Sequence, residues 1–225
     1  AADSEGLVVE NTSTLTKFTV GHVTPISIYP NQSLNGLIEV YSNSNLQLNN
    51  EGTLATDVKI SGLGGKLEVQ ENMTFSGSLL QVALHEGFEM KISSGKSMNY
   101  SGDEFEIGSH TFKLTGGGYF NNTNYLILDD PSSKLSITDS TRISRLQVDS
   151  SGSLAGLNIS GSNSNTSGNL VDNLTLTDSF SVSSDSAWTI GEMSFGTEIT
   201  FSPNTNINVG KLSLSGSANL SLGSE

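Results

Sequence analysis

The groups able to do acid–base or metal chemistry in this chain are few. His85, Glu86 and Glu89, then His110, then Asp129 and Asp130 recur along the middle of the sequence. Imidazole beside carboxylate is the pairing used in general acid–base catalysis, and clustered carboxylates are hard oxygen ligands that suit Ca²⁺. Asp103 and Glu104, with Asp129 and Asp130, are the candidates for such a cation. Against catalysis stands the placement of positive charge. Arg142 and Arg145 are the only arginines, and they fall at another part of the chain's repeat, so neither converges on the cluster to stabilise an oxyanion or a uronate. Acidic residues at solvated bends explain the cluster with no chemistry at all. The expectation is a non-enzymatic protein without a resident cofactor, calcium being possible. The alternative is catalysis by His85, Glu86, His110, Asp129 and Asp130.

Other signals are weaker. Gly116-Gly117-Gly118 leads into Tyr119-Phe120 and not into a helix or a lysine, so it reads as a tight bend and not a phosphate loop. The stretch from Gly62 to Gly65 lacks the aspartates of a calcium-binding nonapeptide. Outward threonines such as Thr175 and Thr200 suggest an ice-binding column, but that column also holds Val8, Gln47, Glu68, Lys91 and Lys113. Nine Asn-x-Ser/Thr sequons stand at Asn11, Asn31, Asn72, Asn99, Asn121, Asn158, Asn165, Asn173 and Asn219. In a chain this rich in Asn, Ser and Thr, about five would arise by chance, so the excess lends modest support to glycosylation and an extracellular address.

Composition narrows the partners. The formal charge of −13 with ten Lys and Arg repels phosphate backbones and anionic bilayers, which argues against nucleic acid. No apolar run approaches the roughly 20 residues that span a membrane. Without cysteine, disulfides and thiolate chemistry are excluded. The apolar fraction is only 34%, too little for a thick two-layer core.

What positions these groups is a repeat. Apolar pairs at i and i+2 are each followed by a third apolar residue six positions after the pair. The series runs Leu7/Val9/Leu15, Ile26/Ile28/Leu34, Leu46/Leu48/Leu54, Leu67/Val69/Phe75, Met90/Ile92/Met98, Phe112/Leu114/Phe120 and Leu135/Ile137/Ile143. It resumes as Leu174/Leu176/Val182, Ile199/Phe201/Ile207 and Leu212/Leu214/Leu220. A second short strand follows in most units, as in Phe18-Val20, Ile38-Val40, Val58-Ile60, Leu80-Val82, Phe105-Ile107, Leu126-Leu128 and Leu146-Val148. The i, i+2 spacing puts both apolar side chains on one face of a strand. Bends such as Asn49-Asn50-Glu51-Gly52-Thr53 carry residue types that tolerate tight corners.

One unit cannot stand alone. Three to five buried apolar residues contribute about 1.5–3 kcal/mol each, against about 1–2 kcal/mol for ordering each of some twenty residues. Units must therefore stack, like strand on like strand, in parallel register. This predicts an all-β, single-stranded parallel β-helix (β-solenoid) of about ten rungs over 1–225, with a degenerate rung and surface excursion at about 152–173. Such stacking sets Glu68 beside Lys91 and Glu39 beside Lys59.

The units Leu46-Gln47-Leu48…Gly52-Thr53-Leu54 and Leu212-Ser213-Leu214…Ala218-Asn219-Leu220 resemble the parallel β-helix repeats of bacterial exoproteins, the filamentous-haemagglutinin-like and autotransporter-passenger adhesins. The resemblance implies a right-handed coil, secretion to the cell surface, and a stalk or adhesive role. The expected partner is a surface carbohydrate or protein receptor, or copies of the chain stacked end to end. The opening Ala1-Ala2-Asp3 is compatible with cleavage after small residues, and the lack of an amphipathic cap at either end suggests a segment of a longer protein. The alternative from another class is a carbohydrate-active β-helix enzyme, a polysaccharide lyase or hydrolase, using the His and carboxylate corner.

Overall fold

The computed structural model describes residues 6–49, 51–61, 64–83, 88–107, 109, 111–130, 134–148, 171–176, 180–182, 188–195, 198–201, 207–216 and 218–222. Every regular element among them is a β-strand, and every pairing between strands is parallel. The chain winds as a β-solenoid of about seven turns.

The first wall is a seven-stranded sheet of Leu7–Val9, Val23–Ile28, Asn45–Leu48, Lys66–Val69, Phe88–Ile92, Thr111–Thr115 and Lys134–Ile137, each lying on the one before it in sequence order. These strands hold the first apolar pair of each unit. The second sheet takes the rest of each turn and includes the long strands Ser33–Val40 and Thr53–Ser61. Alternation does the sorting. Along Asn45–Leu48 and Lys66–Val69 the apolar residues are fully buried and the residues between them half-exposed. The core is a thin column in which side chains one turn apart touch. Tyr100 lies between Phe75 and Phe120, with ring centroids at 5.2 and 5.7 Å.

Corners are tightened by small residues. Gly36 adopts φ +112°, and a Cβ there would lie 1.9 Å from the Leu15 carbonyl oxygen. At Gly77 a Cβ would lie 2.1 Å from the carbonyl oxygen of Thr56. Thr56 is itself fully buried and donates its hydroxyl to the Leu34 carbonyl at 2.6 Å. The Gly116-Gly117 bend is a true left-handed turn, with φ of +96° and +80°.

Stacking follows the expected register for Leu34↔Leu54, Leu54↔Phe75, Met98↔Phe120 and Phe120↔Ile143. It departs from it by two residues at Ile26↔Leu48, Phe75↔Tyr100 and Phe88↔Phe112. A shift of two keeps every side chain on its face, so the core tolerates it. The unit after Thr53–Ser61 also differs. Leu79 and Gln81, not Leu80 and Val82, pair with Val58 and Ile60, and the register then shifts before Ala83. The apolar run Leu79-Leu80 offers no alternation to choose between the two settings.

Beyond Val148 the expected phase is corrected. Leu174 and Leu176 continue the second sheet, on Leu146 and Val148, and do not start a new first strand. Met193 and Phe195 stack on them, then Leu212 and Leu214. Phe180–Val182, Glu198–Phe201 and Asn219–Leu222 form a separate three-stranded sheet. The true middle triplet is Met193/Phe195/Phe201, which keeps the same eight-residue offset as the expected Ile199/Phe201/Ile207. Both fit the spacing, and only strand pairing separates them. The excursion placed at about 152–173 falls, up to 170, outside the described residues.

Candidate functional site

The acid–base cluster is only partly in view. His85, Glu86 and His110 lie outside the described residues. Glu89 was expected at the same corner, but the strand Phe88–Ile92 sets it on the outer face of the first wall. There its carboxylate lies 3.5 Å from the Lys66 ammonium and accepts the Thr115 hydroxyl at 2.6 Å. The strand begins at Phe88, two residues before Met90, so Glu89 pairs with Lys66 in the register that sets Met90 on Leu67. Asp129 and Asp130 follow the strand Leu126–Leu128, are half-buried and are each engaged by other groups. Asp103 is exposed and accepts the Ser78 hydroxyl at 3.0 Å, and Glu104 is exposed beside it. Among the described residues no three His, Asp or Glu side chains converge as a metal site would require.

The outer face of the first wall is a connected ladder. Glu68 accepts from Asn45 at 3.0 Å, from Gln47 at 3.3 Å and from Lys91 at 3.1 Å. Burial pushes the Glu68 carboxyl up, but these three donors outweigh it and hold it below the usual carboxylate range. On the second sheet Glu39 is nearly buried between Lys17, which bonds it directly, and Lys59 at 3.6 Å. The Lys17 bond, working against a smaller desolvation cost, lowers the Glu39 carboxyl. Glu68–Lys91 and Glu39–Lys59 are the two pairs that the repeat predicts. Lys96 bonds Glu71, and Lys211 bonds Glu192 at 2.8 Å.

A different arrangement runs along the corner between the first wall and the second sheet. Parallel register puts Ser97, Tyr119 and Arg142 at one level of the turn, with Asn72 one turn before Ser97. Continuing the pairing Thr74↔Thr53↔Ser33 places Glu51 and Asn31 in the same column. The adjoining outward column is Ser33, Thr53, Thr74, Asn99 and Asn121. Two open recesses lie along this corner. One of about 340 Å³ is bounded by Asn31, Glu51, Asn72 and Asn99, and one of about 280 Å³ by Lys96, Ser97, Tyr119 and Arg142.

The polar groups here are oriented but not all engaged. The Asn72 carbonyl oxygen accepts from the Ser97 backbone N–H at 3.0 Å and its hydroxyl at 3.3 Å. The Asn99 carbonyl oxygen accepts from the Asn121 amide at 2.9 Å. With both carbonyls held, the Asn72 and Asn99 NH₂ groups have no partner among the described residues. At the far end the Arg142 guanidinium lies 4.7 Å from the centroid of the Tyr119 ring and bonds Asp172 at 3.2 Å. Tyr119 donates to Asp172 at 2.5 Å, and burial, reinforced by that carboxylate, raises its phenol.

Sequence reasoning marked Asn31, Asn72, Asn99 and Asn121 as separate sequons and did not bring them together. The signal was available, since each lies one to three residues from the third apolar position of its unit. Asn11, Asn31, Asn72 and Asn99 are exposed, and Asn121 and Asn173 are half-buried. Asn158, Asn165 and the Asn219 side chain lie outside what is described. Comparison with known proteins finds no matching family model, no matching curated protein and no matching solved structure.

Proposed function

We propose that the chain is an extracellular, non-enzymatic structural or adhesive element, a right-handed β-solenoid of about ten rungs of the kind that builds bacterial surface stalks. The observation that carries this reading is how the charged side chains of the walls are used. Glu39, Glu68, Glu71, Glu89 and Glu192 all bind donors from other turns of the coil. Carboxylates so neutralised stiffen a rod and leave little reactivity on its walls. Right-handed winding accords with the strong preference of parallel strand–crossover–strand connections for that hand. The rung count follows from the repeat, taken through the units after Val148. Calcium, a receptor and end-to-end copies of the chain remain the candidate partners.

The reading is tested by incubating the chain with a panel of plant and bacterial polysaccharides, with and without calcium, and assaying for new reducing or unsaturated ends. The expected outcome is no product. Turnover that disappears in His85→Ala or Asp129→Ala would overturn it in favour of a polysaccharide lyase or hydrolase.

A further inference from the structure

We infer that the corner groove holding Asn31, Glu51, Asn72, Asn99 and Tyr119 is a binding site for a neutral, extended oligosaccharide lying along the solenoid axis. The inference rests on the adhesive reading and names its ligand.

Four features converge on it. The first is continuity. The column Asn31–Glu51–Asn72–Ser97–Tyr119–Arg142 crosses six successive turns, and five steps of about 4.8 Å carry it roughly 24 Å along the axis. Its two recesses of about 340 and 280 Å³ share that line, since Asn72 and Ser97 are bonded neighbours. An extended chain with a repeating unit meets a fresh set of side chains at each turn.

The second is the state of the polar groups. On the first wall the outward carboxylates are engaged turn to turn, as Glu68 and Glu89 are. In the groove the Asn72 and Asn99 amides are locked through their oxygens and present their NH₂ groups outward. The Thr53 and Thr74 hydroxyls and the Glu51 carboxylate make no hydrogen bond among the described residues. Fixed donors and acceptors at regular spacing match the hydroxyls of a sugar chain and give up little entropy on binding.

The third is the ring at the end of the groove. Tyr119 has one face covered by Arg142. Its neighbour one turn away on the side opposite Arg142 is the small Ser97, and Ser97 and Tyr119 both bound the second recess. Such a ring is an apolar platform with a polar rim, suited to the C–H face of a pyranose.

The fourth is charge. Lys96 and Arg142 bond Glu71 and Asp172, while Glu51, which acts on Lys96 only through space, forms no ion pair among the described residues of a chain of net charge −13. Polyanions are disfavoured, and a neutral glycan carries no such penalty. A peptide fits less well, because both recesses are open and bounded mainly by polar side chains and glycines, with little apolar surface to anchor side chains.

The test is titration of the full chain, produced without glycosylation so that the sequon amides are free, with cello-, xylo-, manno- and chito-hexaose. Calorimetry and the side-chain NH₂ resonances of Asn72 and Asn99 are the readouts. At least one hexaose is expected to bind and to shift both resonances. Affinity should fall at least tenfold in Asn72→Ala/Asn99→Ala and in Tyr119→Ala, with a wild-type circular dichroism spectrum, and stay within twofold in the wall variant Gln47→Ala. If no hexaose binds, if binding survives the groove variants, or if extended peptides alone shift these resonances, the inference is overturned. The structural reading would survive each of these outcomes, because its own test is turnover.

Discussion

At the scale of single residues, the buried tyrosine and the wall glutamates make stability depend on pH in opposite directions. Tyr100 is buried, donates to the Asp103 carbonyl at 2.7 Å and accepts from the Leu79 N–H at 3.2 Å. Burial pushes its phenol up to about 12. The folded protein therefore keeps a proton that the unfolded chain loses near pH 10. The stability tied to that proton is complete below pH 10 and lost as pH climbs towards 12, an effect of about 2–3 kcal/mol. Melting temperature followed from pH 9 to 12 should fall, and in Tyr100→Phe, less stable at neutral pH, the fall should be shallower. Glu39 and Glu68 work the other way. Their lowered carboxyls give stability that is present above the ordinary glutamate range and lost as pH falls below it. Glu68→Ala, which frees Asn45, Gln47 and Lys91 together, should cost about 1–2 kcal/mol in urea unfolding at pH 7. At pH 3 the difference between variant and wild type should shrink.

At the scale of the element, strands and corners obey different rules, and this decides how much of the molecule could be read from its residues. Alternation made the strands of the first wall legible, because a strand with one buried face announces itself every second residue. Leu46/Leu48 and Leu67/Val69 are the clearest cases. Register was less legible. A two-residue slide at Phe75↔Tyr100 leaves every side chain on its face, so composition alone does not report it. After Val148 two triplets with equal offsets competed, and only hydrogen bonding between turns separated them. The groove was invisible for a related reason, since its members are about twenty residues apart and become neighbours only through that register. Corners are set by steric demand. Gly77→Ala would push a methyl group against the Thr56 carbonyl and should destabilise by about 1–3 kcal/mol. Gly21→Ala meets nothing within 4 Å and should stay within about 0.5 kcal/mol in the same denaturation experiment.

At the scale of the whole molecule, the coil is close to one-dimensional. Each turn has contacts chiefly with the turns on either side, so damage is felt locally and passed along by stacking. Phe75→Ala removes a ring packed edge-on against Tyr100 and should cost about 3–5 kcal/mol. Amide hydrogen exchange should speed up most in Thr53–Ser61, Met73–Phe75 and Ser97–Tyr100, and least in Ile207–Leu214. The same geometry suits a stalk. Wall charges are tied together along the axis, and the open corner presents amides, hydroxyls and the Tyr119 ring to the surroundings.

Both the stitched walls and the groove depend on side chains one turn apart being direct neighbours in parallel register, and the absence of cysteine makes that testable by trapping. Asn99 lies opposite Asn121, within the Cα separation a disulfide spans. Thr53 lies two steps from Asn99, roughly 9.6 Å and too far to bridge. The measurement is mild oxidation of the doubly substituted chains Asn99→Cys/Asn121→Cys and Asn99→Cys/Thr53→Cys at low concentration, followed by mass spectrometry of the cross-linked peptides. The stacked coil predicts rapid intramolecular bonding of the first pair, with an unchanged circular dichroism spectrum, and none of the second. A first pair that stays reduced, or a second pair that closes as readily, would contradict the register on which the walls and the groove are built.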